Sequence, residues 1–123
     1  MELSFADLQA NFSYPADVAS IRLGCCTTIL KKHCRKNGIN RWPSRKINSL
    51  ISKQRILSEL LQNDPNNQDF IQIFNDLVAE ESIMMAHPNR PLPKWIKRLD
   101  KHLEDVRKDE KAAQILIQIS QQV

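Results

Sequence analysis

Glycine occurs at only two of 123 positions, Gly24 and Gly38, and that scarcity narrows the folds open to this chain. Average usage is about 7%. Loops that wrap phosphates and tight hairpins both draw on glycine, because they need backbone at positive φ. Mononucleotide-binding enzymes and β-meanders are therefore disfavoured. The length suits one compact domain, or a small domain with a helical extension, and is too short for a barrel enzyme. Hydrophobic residues are 41% and charged residues 26% of the chain, which supports a modest core in a soluble protein. No apolar run approaches the roughly 18–20 residues of a membrane span. The opening MELSFADLQANF carries acids and no basic flank, unlike a secretory leader.

The apolar spacing is helical throughout. Ser4 with Asp7 forms a capping-box pattern that opens a short helix to about Phe12. Pro15 suits a first helical position and Gly24 a stop, which frames a second helix over about 15–23. A third helix starts near Cys26–Thr27 and ends at Gly38, which suits the left-handed position just past a helix. Leu23-Gly24-Cys25-Cys26 between them makes a helix-turn-helix pattern. A longer fourth helix begins at Pro43 or Ser44 and runs to about Asn63. A fifth follows Asn66-Asn67, directs Phe70, Ile71, Phe74, Leu77, Val78 and Met84 inward, and ends near Ala86. Pro88, Pro91 and Pro93 make a stiff, extended connector. Pro93 opens a last helix striped by Ile96, Leu99, Leu103, Val106, Ala113 and Ile117, with a break expected in the wholly charged Arg107–Lys111. The class expected is all-α.

The formal net charge is +4, unevenly placed. All ten Lys and Arg of residues 1–64 lie between Asp17 and Glu59, with no acid among them. Such a stretch attracts a polyanion, nucleic acid or anionic membrane. In the third helix Leu30 and Cys34 share a face with Thr27, while Thr28, Lys31, Lys32 and Arg35 fall within about 100° on the opposite side. A basic helix after a glycine turn stands where a recognition helix stands. The break between the two helices argues against one long amphipathic helix lying on a membrane. In the fourth helix Ile47, Leu50, Gln54, Leu57 and Leu61 repeat at 3,4,3,4 spacing, widened by Ile51 and Leu60. That seam of about two heptads suits either a dimer partner or packing within the chain.

Three cysteines, Cys25, Cys26 and Cys34, make no disulfide framework and point to a reducing compartment. With His33 they lack the gaps that let a chain wrap zinc, so neither metal nor cofactor is expected. His33, His87 and His102 have no nucleophile or acid at a telling spacing, and no enzyme is expected. Glu104, Asp105, Asp109 and Glu110 read as a solvated helix face, Met84-Met85 as core or contact surface, and Trp95 as an anchor of the last helix or an interface residue.

Arg41-Trp42-Pro43-Ser44-Arg45-Lys46, preceded by LGCCTTILKKHCRKNGIN, resembles the signature of the RWP-RK family of eukaryotic DNA-binding proteins. The resemblance spans Leu3 to Leu50, including Leu30-Lys31-Lys32, Cys34-Arg35 and Gly38-Ile39 at the expected distances. Thr27 stands where the family often has proline, and threonine is also at home at a helix start. Residues after about Asn63 resemble no family, and the regulatory regions and PB1 domain of nodule-inception-like members are absent from this sequence. Known members are plant, algal and protist transcription factors acting in nitrate response, nodulation and gamete identity.

The resemblance implies a nuclear transcription regulator that binds double-stranded DNA sequence-specifically, with the third helix (about 26–37) in the major groove. Thr28, Lys31, Lys32 and Arg35 would read base edges, with Arg or Lys on guanine and a Thr methyl on thymine. Arg41, Arg45 and Lys46 would hold phosphates. Trp42 would pack against the third and fourth helices, and Pro43 would set the start of the fourth. Residues 1–63 would be the DNA-binding domain with its following helix, and 64–123 a helical extension for homo- or heterodimerisation or another partner. The alternative is a short interaction protein that dimerises with, or tethers to DNA, a larger regulatory complex.

Overall fold

Both glycines end helices in the same way. The computed structural model describes residues 2–108, with side chains described through Leu103. After helix α2 (Ala16–Arg22), Gly24 takes φ 75°, its N–H donates to the Ile21 carbonyl at 3.1 Å, and Cys25 N–H donates to the Ser20 carbonyl at 2.9 Å. After α3 (Thr27–Lys36), Gly38 takes φ 74°, its N–H donates to Arg35 at 3.2 Å, and Ile39 N–H donates to Cys34 at 2.8 Å. This is the Schellman motif, whose residue past the cap must be left-handed. Among the described residues no other position has positive φ, so two glycines suffice.

Several helix starts are set by side chains or prolines. In α1 (Phe5–Gln9) Ser4 Oγ accepts from Asp7 N–H at 3.2 Å and Asp7 Oδ2 accepts from Ser4 N–H at 2.9 Å. The Ser4 N–H, together with the Ser4 hydroxyl donating to Asp7 Oδ2 at 3.0 Å, holds the Asp7 carboxyl below its ordinary pKa. α1 stops at Gln9, short of the expected Phe12, because tight turns take over at Asn11 and Phe12. Pro15 is the cap of α2 and not its first residue. α4 (Ser44–Asn63) starts behind Pro43, whose carbonyl accepts from Ile47 N–H at 3.0 Å. Asn67 Oδ1 accepts from Phe70 N–H at 3.1 Å at the head of α5 (Gln68–Ala86). α6 (Lys94–Lys108) opens after Pro93. Every regular element among the described residues is helical. His87–Pro93 is not extended throughout, as expected, but turns, with Arg90 N–H donating to the His87 carbonyl at 3.0 Å.

Contacts group the chain into two units, residues 1–49 with 82–90, and residues 50–81 with 91 onward. Two of the three boundaries fall inside helices, α4 and α5, the third follows Arg90, and none coincides with the 63/64 division expected from the sequence. A helix as long as the twenty-residue α4 extends about 30 Å, more than one small core can cover.

The first unit is centred on Leu8, Phe12, Ala19, Leu30, Ile39, Ile47 and Met84, all buried. Phe12 sits between two rings, edge-on to Phe5 at 5.9 Å and to Trp42 at 5.3 Å. Such edge-to-face pairs add about 0.5–1.5 kcal/mol each beyond the area they bury.

The second unit buries Leu50, Leu57, Phe70, Ile73, Leu77, Ile96, Leu99 and Leu103. Its inward row on α5 differs from the expectation. Ile73 is buried, Ile71 and Phe74 are half-buried, and Val78 is 41% exposed. The buried positions Phe70, Ile73, Leu77 and Met84 follow one narrow stripe, and the other apolar residues flank it. Gln54 donates to Glu81 Oε1 at 2.8 Å and to the Leu77 carbonyl at 3.5 Å. The seam that could have served a dimer is thus covered within one chain: Ile47, Leu50 and Leu57 are buried, Leu61 is half-buried, and Gln54 is satisfied internally. Lys53, 2% exposed, places its Nζ 3.0 Å from Asp100 Oδ1. The stripe of α6 holds through Leu103. Val106, Ala113, Ile117, the break at 107–111 and the acids at 104, 105, 109 and 110 lie outside the residues whose side chains are described.

Two stability outcomes follow from these contacts. Gly38→Ala should cost about 1–2 kcal/mol in urea denaturation, all of it left-handed strain, since no atom lies within 4 Å of an added Cβ; Gly38→Asn should lose less. Asp100→Asn should cost no more than about 1 kcal/mol, because that carboxylate is 67% exposed and solvent screens its pair with Lys53.

Candidate nucleic-acid interface

Helix α3 divides cleanly. Leu30, His33 and Cys34 are buried, while Thr28, Lys31, Lys32, Arg35 and Lys36 are exposed. Thr27, expected on the apolar face, is also exposed. Burial pushes the Cys34 thiol pKa up, which keeps it a neutral, core-filling group.

Next to this face a groove of about 490 Å³ opens between α3 and the chain leading into α4. Lys31 and Arg35 line it from α3, Arg41 from the linker, and Arg45 from the first turn of α4. Leu30, Cys34, Ile39 and Trp42 give it an apolar lining, and no acid borders it. Cations gathered over apolar walls repel one another in a medium that screens poorly, so an anion is the natural counter-charge.

The sequence-predicted residues are thus partly brought together. Lys31 and Arg35, expected to read bases, share the groove with Arg41 and Arg45, expected to hold phosphates. Thr28 and Lys32 are exposed on α3 outside the groove lining. Lys46 is engaged elsewhere: its Nζ donates to the carbonyls of Pro88 and Arg90 at 2.5 and 3.0 Å. Burial holds that ammonium below the ordinary lysine pKa. Its expected phosphate role therefore competes with two hydrogen bonds inside the protein.

Trp42 is half-buried, and its bonds reach a segment that the sequence reading did not name. The indole Nε1–H donates to the Tyr14 carbonyl at 2.6 Å and the ring meets Phe12, both in the segment after α1. The same segment is braced by Arg22, whose guanidinium lies 4.2 Å from the Tyr14 ring centroid and donates to Asn11 Oδ1 at 3.0 Å. Asn48 Nδ2 donates to the Ser13 carbonyl at 2.8 Å.

Sequence reasoning missed Asn89. Its Nδ2 donates to the Gly38 carbonyl at 2.7 Å, and its Oδ1 accepts from Asn40 N–H at 2.8 Å. The partners lie 51 and 49 positions away, so no local pattern signals the contact.

A glycine-stopped basic helix, an arginine-lined groove and the Trp42-Pro43 entry into α4 thus lie in one helical unit. The RWP-RK domain family matches residues 1–88, and the chain belongs to that family. The match runs well past the Leu3–Leu50 resemblance and takes in residues 82–88, which pack with the first unit. Protein NLP1 of Oryza sativa subsp. japonica is 51% identical over 45 residues, 37% of this chain and 5% of that protein. Protein NLP7 of Arabidopsis thaliana is 39% identical over 88 residues, 69% of this chain and 9% of that protein. Protein RKD1 of Arabidopsis thaliana is 30% identical over 102 residues, 79% of this chain and 37% of that protein. The chain thus spans a minor part of each of these relatives. No solved structure matches the chain.

Lys46→Met should cost about 1–3 kcal/mol of stability, the loss of two charge-assisted bonds to main-chain carbonyls. Trp42→Phe should cost about 1 kcal/mol, because it keeps the ring contact and leaves only the Tyr14 carbonyl without its donor. Both are read by chemical denaturation.

Proposed function

We propose that the chain binds double-stranded DNA sequence-specifically and acts in the nucleus as a regulator of transcription. The observation that carries this reading is the groove in which Lys31, Arg35, Arg41 and Arg45 converge with no acid beside them. In this reading α2, the Gly24 turn and α3 serve as a helix-turn-helix, with α3 in the major groove. Thr28, Lys31, Lys32 and Arg35 offer donors and a methyl group to base edges. Arg41 and Arg45 take phosphates and set register. Membership of the RWP-RK family supports the reading. Nothing in this mechanism calls for a cofactor, a metal or a catalytic step. Among the described residues no helix is long and apolar enough to cross a membrane.

A second reading, an interaction protein that works through a partner, is favoured by one feature. Ile21 is 76% exposed on α2 and Val18 beside it is 39% exposed, an apolar pair left open to solvent. With the α4 seam covered, homo- or heterodimerisation would have to use such a surface. Solution mass with and without duplex separates the readings. Intrinsic affinity in the absence of a partner supports the first, and binding only with a longer family member supports the second.

Five cations, Lys31, Lys32, Arg35, Arg41 and Arg45, remain for the polyanion. The logarithm of affinity should therefore fall with the logarithm of salt concentration at a slope of about −3 to −5. A slope near zero would sink the electrostatic basis of the proposal. Arg35→Ala should cost about 1–3 kcal/mol on the preferred site and relax choice at one base pair, whereas Arg45→Ala should weaken all sequences alike and make the slope shallower by about one.

A further inference from the structure

The spacing of the groove's two banks depends on a short linker. Lys31 and Arg35 stand on α3, Arg45 stands on α4, and Arg41 stands on the segment between. At one end the linker leaves the Schellman turn at Gly38. At the other it is pinned by the Trp42 indole on Tyr14. Its middle is held by a residue from far along the chain. The Asn89 side-chain amide bonds the carbonyl of Gly38 and the N–H of Asn40, so it grips the backbone on both sides of the buried Ile39. An asparagine amide presents a donor and an acceptor side by side, as a peptide group does, and both are used here.

The turn that carries Asn89 is itself tied down. Lys46, in the first turn of α4, donates to the carbonyls of Pro88 and Arg90, which flank Asn89 on either side. The end of α3, the turn at 87–90 and the start of α4 therefore close a ring of hydrogen bonds. Further back, Gln9 Nε2 donates to the Met85 carbonyl at 3.0 Å, and Met84 is fully buried. None of these bonds uses one of the four groove cations, Lys31, Arg35, Arg41 and Arg45.

We infer that Asn89 is a positioning residue for the proposed DNA interface, and that the DNA-binding unit is completed by the turn at 87–90. The inference rests on the DNA-binding reading above. Asn89 itself touches no base or phosphate. It acts by holding Gly38–Asn40, and through them the separation of Arg41 and Arg45 from Lys31 and Arg35. Loss of this grip should hurt recognition of one sequence, which needs every cation in register, more than general attraction to a polyanion, which needs only their number.

The test uses the full 123-residue chain and two duplexes, one of the sequence that the parent enriches from a random pool and one of random sequence. Asn89→Ala should weaken binding to the enriched duplex about tenfold, the effect of roughly one bond's worth of free energy. Its affinity for the random duplex should change less than about twofold and its salt slope should stay as in the parent. Amide hydrogen exchange at Asn40 reports whether the grip has opened, and it should accelerate. Asn89→Gln keeps both the donor and the acceptor on a side chain one methylene longer, so it serves as the milder variant should alanine disturb folding; it should lie between parent and alanine in selectivity. Faster exchange at Asn40 with unchanged selectivity in either variant would overturn the inference while leaving the DNA-binding reading intact. A parent chain that enriches no sequence, or binds no duplex, would remove that reading and this inference with it. An equal loss on both duplexes would assign Asn89 to stability alone.

Discussion

The hydrogen bond from the Trp42 indole to the Tyr14 carbonyl, made while the ring meets Phe12 edge-on, anchors the chain that forms one bank of the groove. It joins the segment after α1 to the residue just before α4, and so decides where α4 can begin. Pro43 follows with its fixed φ, and Ile47 bonds back to its carbonyl. Arg41 precedes the anchor and Arg45 follows it, so both face the groove without any need to be held themselves. The aromatic residue of the signature is thus a hinge pin, and the basic residues around it are the payload that it aims.

Charge in this chain is divided between two tasks that residue type alone does not distinguish. Lys46 and Lys53 are bonded inside the protein, to main-chain carbonyls and to Asp100, and Arg22 is stacked on Tyr14. Lys31, Arg35, Arg41 and Arg45 border an open groove. An internal cation loses hydration and must regain it from nearby oxygens, whereas an open one keeps its water until a ligand replaces it. The same run of bases therefore supplies both fasteners and contacts.

What was legible in the sequence is what short-range rules decide. Ser4 and Asp7 announce their capping box, Gly24 and Gly38 their left-handed turns, and Pro43 the start of α4, because every partner lies within a few residues. The basic face of α3 was legible for the same reason, since helical geometry sets it. The internal bonds of Lys46 were not legible, because the accepting carbonyls belong to a turn more than forty residues away. The seam of α4 carried the right spacing but not its destination: a heptad pattern says that a face is buried, and Gln54 finding Glu81 says by what. On α5 the expected row was too wide, because apolar residues also flank the stripe that the core accepts, and Val78 falls outside it. The fold class was thus within reach of local reasoning. The detailed closure of the interface was not.

The first unit is discontinuous along the chain, assembled from residues 1–49 and 82–90. That ordering has a consequence for its biosynthesis. When Ser49 has been added to the growing chain, every groove cation has already been made, yet Asn89, which grips the linker, is still 40 residues from synthesis. At about 5–20 residues per second, the nascent chain carries its basic face for roughly 2–8 seconds before residue 90 arrives to close the unit. During that interval the groove cations are present on a unit whose last segment has yet to be made.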